Sequence, residues 1–423
     1  MLLAASPLIR SHLGRFLIVD KTQFAAWFGE ERGKQCYLHV TKQRQCTCHL
    51  ESFSTLSFVH PRLSELLLTQ TYINRIATAV PQDDVHEAFV AFADQMLEDP
   101  RVQPVFRRMA ARSGIRRRFS VLTPNAASTE FTVNANEFYT RGSFPDTAKR
   151  MQIFERFAPR LAQRTLDKLM LSADERRGIT HVLVTSCTGL YAPGLDFDIL
   201  DHLGLDTSVE RTMIGFMGCY AAINGLKQAR HIVRSEPDAK VLLVNLELCT
   251  LHLQETQDLE QVLSFLVFGD GCAASLISAD PTGFAMDSFR SVLIPETRDL
   301  ITWKIRGVGF DMLLSGKVPG EIGKALAVSG GEVLGKHSKK DISLWGVHPG
   351  GKSVLDAVER GLGLAEDALA ASRQTLECFG NMSSATVMFV LERLMQSAQP
   401  GEKGCAMSFG PGLTAETMLF HAV

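Results

Sequence analysis

The feature that most constrains the fold of this chain is an imperfect internal repeat of a unit built from strands and helices. An apolar strand pattern that ends in a polar turn occurs at 181–189 and again at 342–351, about 160 residues later. Each half closes with an apolar strand and a glycine-rich turn, at 268–271 and 409–412. Strands that alternate with helices predict sheets whose faces are covered by helices. The repeat therefore predicts a duplicated α/β fold with five layers, α/β/α/β/α.

The two halves place chemically useful residues at equivalent positions. Gly218-Cys219 opens an apolar helix in the first half, and Gly380-Asn381 opens one in the second, while His348-Pro-Gly-Gly ends a strand. The unpaired N–H groups and the dipole at a helix N-terminus favour a thiolate at Cys219. A thiolate, an imidazole and a side-chain amide can hold an acyl group and stabilise an oxyanion beside it. The sequence therefore predicts an acyl-transfer site.

Each of these residues also has a purely structural interpretation. A free cysteine is usually buried and inert, and an asparagine before a helix is an ordinary N-cap. Cys187 competes with Cys219 as the nucleophile, but no clear helix pattern begins after it. We interpret Cys187 as a wall of the pocket. The remaining cysteines of the apolar segments, predicted to lie in the core or the pocket wall, are Cys249, Cys272, Cys378 and Cys405.

Composition excludes several other classes of protein. The 423 residues suffice for roughly two to three domain cores or for one large duplicated domain. A formal net charge of -2 indicates neither nucleic acid nor a membrane surface as a partner. The 9 cysteines show no paired framework, which favours a reducing compartment, and we expect the cytoplasm. The stretch 1–18 contains Arg and His and is a poor signal peptide.

Residues 1–70 differ in character from the rest of the chain. Cys46-Thr-Cys48-His49 resembles half of a metal site, but the spacing matches no strong zinc pattern, and we predict no metal site. We expect this stretch to be an irregular or disordered extension, or an over-called translation start. The two halves of the repeat predict one domain at 71–283, with the cysteine, and one at 284–423, with the histidine and the asparagine.

An arginine cluster occupies residues 101–118. Most charge runs are solvated helix faces. Arginine also matches phosphate geometry, and the chain as a whole is nearly neutral. The residues alone favour neither interpretation.

The motifs, taken in order, resemble those of the type III polyketide synthases, the chalcone and stilbene synthase family. The resemblance rests on segments 211–222, 348–351, 380–385 and 409–416, and it runs from about Thr71 to the C-terminus. The motifs look bacterial rather than plant in type. The resemblance implies a thiolase-like fold, a homodimer, and an acyltransferase that needs no cofactor and uses malonyl-CoA and acyl-CoA as substrates.

The resemblance also implies a role for each residue of the site. Cys219 would take the starter acyl group from coenzyme A, and His348 would keep Cys219 ionised as an ion pair. His348 and Asn381 would then polarise the malonyl thioester, so that decarboxylation leaves a stabilised enolate. Repeated attack of such enolates on the Cys219 thioester, followed by cyclisation, would give a pyrone, a resorcinol or a related aromatic product.

A substrate pocket follows from the same resemblance. Phe268 matches the family's gatekeeper phenylalanine, and Phe310 matches a second aromatic near the same entrance. Arg108 and Arg112 fall at positions that bind the coenzyme A phosphates, whereas Val105 stands where a third basic residue often lies. The other predicted pocket residues are Cys187, Thr188, Cys249, His252, Ser383, Gly410, Pro411 and Gly412.

Some pocket positions depart from the plant chalcone synthases. Cys187, Cys249 and His252 stand where those enzymes have threonines, and Ala192 replaces a methionine that reaches across the dimer. These changes predict a reshaped cavity, so we do not transfer the phenylpropanoid starter of the plant enzymes to this chain. Fatty acyl or small acyl starters that give alkylpyrones or resorcinols are the interpretation we favour.

Two alternative functions stay open. One is a single-round condensing enzyme of the same fold, of the ketoacyl-carrier-protein synthase III or hydroxymethylglutaryl-CoA synthase type. Such an enzyme is expected to lack the motifs at 348–351 and 409–416 together. The other is a degenerate scaffold, which the presence of Cys219, His348 and Asn381 disfavours.

Overall fold

The computed structural model describes residues 69–423, except 130–131, 135–136 and 336–337, and the backbone of five strands before Thr69. The chain divides into two compact units, Met1–Thr69 and Gln70–Val423. In the described part of the chain, no helix is long and apolar enough to cross a membrane. Among the same residues, no group of His, Cys, Asp and Glu side chains is arranged to hold a metal ion.

The first unit contains a five-stranded sheet in which each strand pairs antiparallel with the next. Its strands are β1 (Leu13–Asp20), β2 (Gln23–Glu31), β3 (Lys34–Val40), β4 (Cys46–Leu50) and β5 (Thr55–Ser57). The stretch expected to be irregular or disordered thus has regular strands in its described backbone. The side chains of Cys46, Cys48 and His49, considered above as half of a metal site, lie outside the described part of the structure.

The second unit contains the repeat. Its strands are β6 (Tyr72–Ala79), β7 (Asp83–Asp84), β8 (Phe119–Ser120), β9 (Pro124–Thr129), β10 (Thr132–Asn134), β11 (Ile179–Ser186), β12 (Glu210–Gly215), β13 (Lys240–Leu248), β14 (Asp270–Ser278), β15 (Phe284–Leu293), β16 (Ile301–Ile305), β17 (Phe310–Leu314), β18 (Leu344–Val347), β19 (Lys403–Gly410) and β20 (Thr414–Ala422). Its helices are α1 (His86–Met96), α2 (Gln103–Ala111), α3 (Thr147–Leu169), α4 (Ala173–Gly178), α5 (Leu195–Leu203), α6 (Ala221–Ser235), α7 (Leu259–Val267), α8 (Val318–Leu334), α9 (Lys352–Leu362), α10 (Ala370–Phe379) and α11 (Thr386–Ser397).

The main sheet shows the duplication directly. Its nine strands run in the order β12-β11-β13-β14-β6-β15-β20-β19-β18. The series β6-β14-β13-β11 contains two antiparallel pairs and then a parallel pair, and the series β15-β20-β19-β18 repeats this pattern. The two series meet where Ile73 and Tyr72 of β6 pair with Phe284 and Ala285 of β15. The predicted duplication of one α/β unit is therefore confirmed.

Alternation of buried residues along the strands creates the layers. In β13, Leu242 and Val244 face an apolar cluster that includes α1, α3 and α5, whereas Val241 and Leu243 face a cluster formed with α6 and α11. Helices α8 and α9 belong to a third cluster, which covers the other face of the second half. Helices α6 and α11 therefore form the central layer of the predicted α/β/α/β/α arrangement.

The duplication places segments that are distant in the sequence at equivalent strand and helix ends of the two halves. Cys187 follows β11, and His348 follows β18, its counterpart in the second half. Cys219 lies in the short 3-10 turn Gly218–Tyr220 before α6, and Asn381 shortly precedes α11. Open α/β sheets bind their ligands beyond the carboxyl ends of their strands. The fold therefore gathers these four residues where a ligand is expected.

Candidate active site

One cavity contains all three predicted catalytic residues, Cys219, His348 and Asn381. It has about 810 Å³ of empty space, part of which is open to solvent. The other predicted pocket residues that line it are Cys187, Thr188, Cys249, Phe268, Ser383, Gly410 and Pro411. Residues far apart in the sequence are thus assembled into a single, largely apolar site.

Close backbone packing fixes the position of Cys219. Gly218 has φ +69°, and a Cβ added to it would lie 2.4 Å from the Pro411 Cδ, so this position requires glycine. A Cβ at Gly410 would lie 2.7 Å from the Tyr220 ring and 3.4 Å from the backbone nitrogen of Cys219. The loop between β19 and β20 therefore packs directly against the turn that carries the cysteine.

Burial of Cys219 opposes the thiolate that is predicted from its place before a helix. Cys219 keeps partial exposure, but burial within the cavity raises the pKa of its thiol to about 12. A hydrogen bond with Ser383 opposes this rise, the carboxylate of Glu247 adds to it, and Asn381 opposes it. Burial is the largest influence on this pKa, and it opposes the thiolate that the helix terminus favours.

Burial likewise opposes the charged form of His348. Burial lowers the pKa of its imidazole to about 3. Neither ring nitrogen has a hydrogen-bond partner among the described residues, although the ring is only 1% exposed. A neutral imidazole offers one N–H donor and one acceptor nitrogen, and both are available to a ligand here. The ion pair implied by the family resemblance stays a prediction, since it requires transfer of the Cys219 proton to His348.

The Asn381 side chain is held in one orientation. Its Oδ1 accepts hydrogen bonds from the Ser383 backbone N–H at 2.8 Å and from the Thr386 hydroxyl at 3.4 Å. Its Nδ2 donates to the Gly350 carbonyl at 3.3 Å. The side-chain oxygen of Asn381 is therefore already hydrogen-bonded. Its NH2 group faces the loop 348–351, which carries His348 and forms part of the cavity wall.

The predicted gatekeeper Phe268 is joined to Asn381 through the backbone. Asn381 donates its N–H to the Val267 carbonyl at 2.8 Å, and Gly269 donates to the Asn381 carbonyl at 2.9 Å. The Phe268 ring packs with Cys249 and Met312. The backbone segments that carry the phenylalanine and the asparagine are therefore held together directly.

Three predicted pocket residues, Phe310, His252 and Gly412, do not line the cavity. Phe310 is 2% exposed and stacks on the His252 ring, with their centroids 4.2 Å apart. Met312, two residues along the same strand, lines the cavity beside Phe268. A Cβ at Gly412 would face Thr414 and Leu293 instead. The assignment of Phe310 to the pocket is therefore corrected to Met312. The sequence-based assignment relied on the aromatic residue type, which occurs two positions away on the same strand.

His252 lies behind the cavity wall. Its Nε2 donates to the Thr188 carbonyl at 2.7 Å, and its Nδ1 accepts from the Phe310 N–H at 3.0 Å. These partners fix the tautomer, and burial lowers the pKa of the ring to about 3. His252 therefore supports the wall as a neutral residue.

Trp303 is the principal cavity residue that sequence reasoning missed. It lines the cavity, and its Nε1 donates to the Cys187 carbonyl at 2.7 Å. Its ring meets His252 edge to face at 5.4 Å. The hairpin of β16 and β17 carries it, and no motif marks that hairpin in the sequence. The other side chains of the cavity that were not predicted, glycines apart, are Phe265, Ile301, Thr302, Met312, Leu314, Val318, Ile322, Val354 and Phe409.

Cys187 is placed as a wall residue. It is 3% exposed, and burial raises the pKa of its thiol well above the ordinary value. Its Sγ accepts a hydrogen bond from the Gly218 N–H at 3.1 Å, so it contacts the turn that holds Cys219. Cys187 therefore helps to hold the turn that carries Cys219 in place.

The arginine cluster separates into paired and unpaired members. Arg107 binds Asp94 and Arg116 binds Glu377 in ion pairs of 2.8 and 2.9 Å. Arg108 and Arg112, on and just after α2, are exposed and have no ion-pair partner among the described residues. Neither lines the cavity. The guanidinium groups of Arg108 and Arg112 are therefore available at the surface for an anion.

Comparison with known proteins identifies a family for most of the chain. Residues 70–281 match the family model for the N-terminal domain of chalcone and stilbene synthases, and residues 285–423 match that for the C-terminal domain. The alpha-pyrone synthesis polyketide synthase-like Pks18 of Mycobacterium tuberculosis is 33% identical over 84% of this chain and 92% of its own. Bisdemethoxycurcumin synthase of Oryza sativa is 32% identical over 75% of this chain and 83% of its own.

Solved structures show the same fold. PKS-I from the brown alga Ectocarpus siliculosus superposes with a TM-score of 0.74 at 30% identity, over 84% of this chain and 98% of that one. The 1,3,6,8-tetrahydroxynaphthalene synthase of Streptomyces coelicolor gives a TM-score of 0.73 at 28% identity, over 83% and 99% of the two chains.

The duplicated thiolase-like fold, with a cysteine, a histidine and an asparagine around one cavity, defines an acyl-transferring condensing enzyme. The chain belongs to the chalcone and stilbene synthase family and is a type III polyketide synthase. The predicted family, fold class, enzyme class and general function are confirmed. The single-round condensing enzymes are not favoured, and the bacterial type of the motifs stays a prediction.

Proposed function

We propose that Cys219 carries the starter acyl group and that malonyl-CoA extends it in repeated decarboxylative condensations, followed by cyclisation to a pyrone, a resorcinol or a related aromatic product. The observation that carries this proposal is the assembly of Cys219, His348 and Asn381 in one apolar cavity. The name of the mycobacterial relative, which refers to alpha-pyrone synthesis, favours the same class of product.

Loading of the starter begins with a proton transfer. The Cys219 thiol passes its proton to the acceptor nitrogen of His348, and the sulfur attacks the carbonyl carbon of the acyl-CoA. The two charges arise together in a cavity of low dielectric constant, where each stabilises the other. Coenzyme A leaves as a thiolate and takes up the proton from the imidazolium, which returns His348 to its neutral form.

Extension uses the two neutral donors. When the bond between the malonyl carboxylate and its α-carbon breaks, carbon dioxide leaves, and the electron pair of that bond passes into the thioester and forms an enolate. The His348 N–H and an Asn381 Nδ2–H donate to the enolate oxygen, and fixed donors of this kind lower the barrier. The enolate carbon attacks the Cys219 thioester and expels the sulfur, which is free to accept the extended chain again.

The cavity lining indicates the class of starter. Apart from the catalytic residues, Thr188, Thr302 and Ser383, the lining side chains are mainly apolar or thiol-bearing. Burial of apolar starter surface against this lining is favourable. We therefore propose fatty acyl or small acyl starters, with Trp303 limiting the length that fits.

The proposal also covers the residues that bind coenzyme A, the oligomeric state and the cellular location. Arg108 and Arg112 would bind the coenzyme A phosphates, because both are exposed and unpaired in the described structure. We propose no cofactor, a homodimer and a cytoplasmic location. We place the boundary between the two halves at 283/284, where β15 begins.

A product screen tests the proposed function. The wild-type enzyme is incubated with malonyl-CoA and a panel of acyl-CoA starters of increasing length, and the products are identified by mass spectrometry. We expect products that contain at least two added acetate units. Products with a single added unit across the whole panel would support a single-round condensing enzyme instead.

A further inference from the structure

Thr386 is a buried polar residue beside the active site that none of the steps above uses. It is the first residue of α11, has 0% exposure and does not line the cavity. Asn381, the amide donor of the extension step, precedes it in the same short segment. Buried polar groups are hydrogen-bonded, and the partners of the Thr386 hydroxyl lie in the turn that joins these two residues.

The backbone and the side chain of Asn381 are held by different contacts. Its backbone bonds Val267 and Gly269, on either side of Phe268. These bonds leave the side-chain amide free to rotate. The N–H of Ser383 fixes that rotation, because it donates to the Asn381 Oδ1 at 2.8 Å. If the amide turned over, its NH2 group would face this N–H, and two donors would meet without an acceptor.

The N–H of Ser383 reaches Asn381 through an unusual backbone conformation. Ser383 has φ +47°, in the left-handed region that residues other than glycine rarely adopt. A residue keeps such a conformation only where its surroundings enforce it. Because α11 is packed into the central layer, relaxation of this φ would displace the peptide groups before it and carry the N–H away from Asn381.

The hydroxyl of Thr386 enforces this conformation. It accepts the Met382 N–H at 2.8 Å and donates to the Ser383 carbonyl at 2.9 Å. The Asn381 Oδ1 is a second, longer acceptor at 3.4 Å. One hydroxyl thus holds the peptide groups on either side of the one that carries the Ser383 N–H. The same turn therefore depends on a single side-chain oxygen outside the cavity.

We propose that Thr386 is a positioning residue for the decarboxylation of malonyl-CoA: its hydroxyl holds the turn before α11, so that Ser383 keeps the NH2 group of Asn381 available to the enolate oxygen. This inference rests on the proposed function, in which Asn381 donates during extension and takes no part in loading. Loss of the hydroxyl removes the acceptor of the Met382 N–H and lets the turn relax. Decarboxylation should then slow, while loading of Cys219 stays nearly unchanged.

The experiment measures the decarboxylation of malonyl-CoA without a starter, in which the enolate takes up a proton and gives acetyl-CoA. Mass spectrometry of the product gives kcat and KM, and peptide mass spectrometry gives the rate at which an acyl-CoA starter loads Cys219. Thr386→Val keeps the shape of the side chain and removes the hydroxyl, whereas Thr386→Ser keeps the hydroxyl and removes a methyl group. Thr165→Val is the matched control, because Thr165 is equally buried and its hydroxyl donates to the Leu161 carbonyl within α3.

We expect Thr386→Val to lower kcat for decarboxylation about tenfold, with KM and the loading rate within about twofold of the wild type, because a misplaced donor weakens only the transition state that uses it. In Thr386→Ser, kcat should stay within about threefold of the wild type, although this variant loses more packing. Thr165→Val should change none of these quantities.

A double-mutant cycle shows whether Thr386 acts through Asn381. Asn381→Ala removes the donor, so the addition of Thr386→Val to it should lower decarboxylation less than about twofold further. A full loss of about tenfold in both backgrounds would show that the two residues act independently, and it would overturn the proposal.

Two other results would overturn it: decarboxylation by Thr386→Val at the wild-type rate, and an equal fall in Thr386→Val and Thr386→Ser. If Thr386→Val does not fold, Thr386→Ala and Thr386→Ser decide, since both lose the methyl group and only the second retains the hydroxyl. Equal rates in these two contradict the proposal. Failure of the proposed function is distinguishable, because the wild type would then form no condensation product, or Asn381→Ala would decarboxylate malonyl-CoA at the wild-type rate.

Discussion

At the scale of the residue, burial acts against the charged forms of both Cys219 and His348. The helix terminus that precedes α6 favours a thiolate, yet burial raises the pKa of the thiol to about 12 and lowers the pKa of His348 to about 3. Sequence motifs identify both residues, but they do not show how much water reaches them. The charge state follows from three-dimensional packing and was not predictable from the residue pattern.

The two cavity cysteines are expected to respond differently to substitution. Cys219→Ala removes the acyl carrier and should lower condensation at least about a hundredfold. Cys187→Ala removes the acceptor of the Gly218 N–H and a side chain of the cavity wall, and it should cost about tenfold or less. Product formation measured by mass spectrometry checks both, and full activity in Cys219→Ala would reject it as the nucleophile.

At the scale of the element, the β16–β17 hairpin explains the pocket errors. The strands pair in a two-stranded sheet apart from the main sheet. Sequence reasoning assigned Phe310 to the pocket and overlooked Trp303 and Met312, because nothing local shows which hairpin residues reach Cys187 or Phe268. The helices that carry Cys219 and Asn381 were predictable, since glycine and apolar periodicity mark where they begin.

Trp303 offers a prediction for this hairpin. Trp303→Ala should admit starters with longer acyl chains and lower their KM about fivefold or more, because the ring occupies part of the cavity wall. Loss of the ring and of its hydrogen bond to the Cys187 carbonyl should lower the free energy of unfolding by about 3 kcal/mol. Steady-state kinetics and denaturant unfolding measure the two effects. Trp303→Phe, which keeps a ring, is the control, and an unchanged preference for starter length in Trp303→Ala would contradict the prediction.

The central layer offers a second prediction. In Gly225→Ala the new Cβ would lie 2.7 Å from the Leu243 side chain, so that buried side chain or α6 must shift, and the free energy of unfolding should fall by about 1–3 kcal/mol. Gly331→Ala, in α8, meets no atom within 4 Å and should stabilise the protein by about 0.5–1 kcal/mol. Thermal unfolding compares them, and equal melting temperatures would contradict the packing described for α6.

Helix α2 offers a third prediction. Replacing Arg108 and Arg112 together by Gln should raise the KM for malonyl-CoA about fivefold to tenfold and leave kcat nearly unchanged, because the phosphates lie far from the reacting carbons. Arg107→Gln, which breaks an ion pair with Asp94, is the matched control and should have a smaller effect. A fall in kcat with unchanged KM would argue against a role in coenzyme A binding.

At the scale of the whole molecule, duplication is what made the fold predictable. Two halves with equivalent strand ends predict a shared centre, and the sheet repeats one pairing pattern in both halves. The junction of β6 with β15 and the bonds of Glu247 to the Cys187 and Ser384 segments were not predictable. Both arise between segments that are distant in the sequence and carry no local signal.

The most direct measurement of the central claim is the identity of the residue that carries the acyl chain. The wild-type enzyme is incubated with an acyl-CoA starter, quenched in acid and mapped by peptide mass spectrometry, first without and then with malonyl-CoA. The account predicts a starter adduct on Cys219 and, after malonyl-CoA is added, adducts on the same residue that are heavier by one and by two acetate units. An adduct on Cys187, or no growth of the adduct on Cys219, would contradict it.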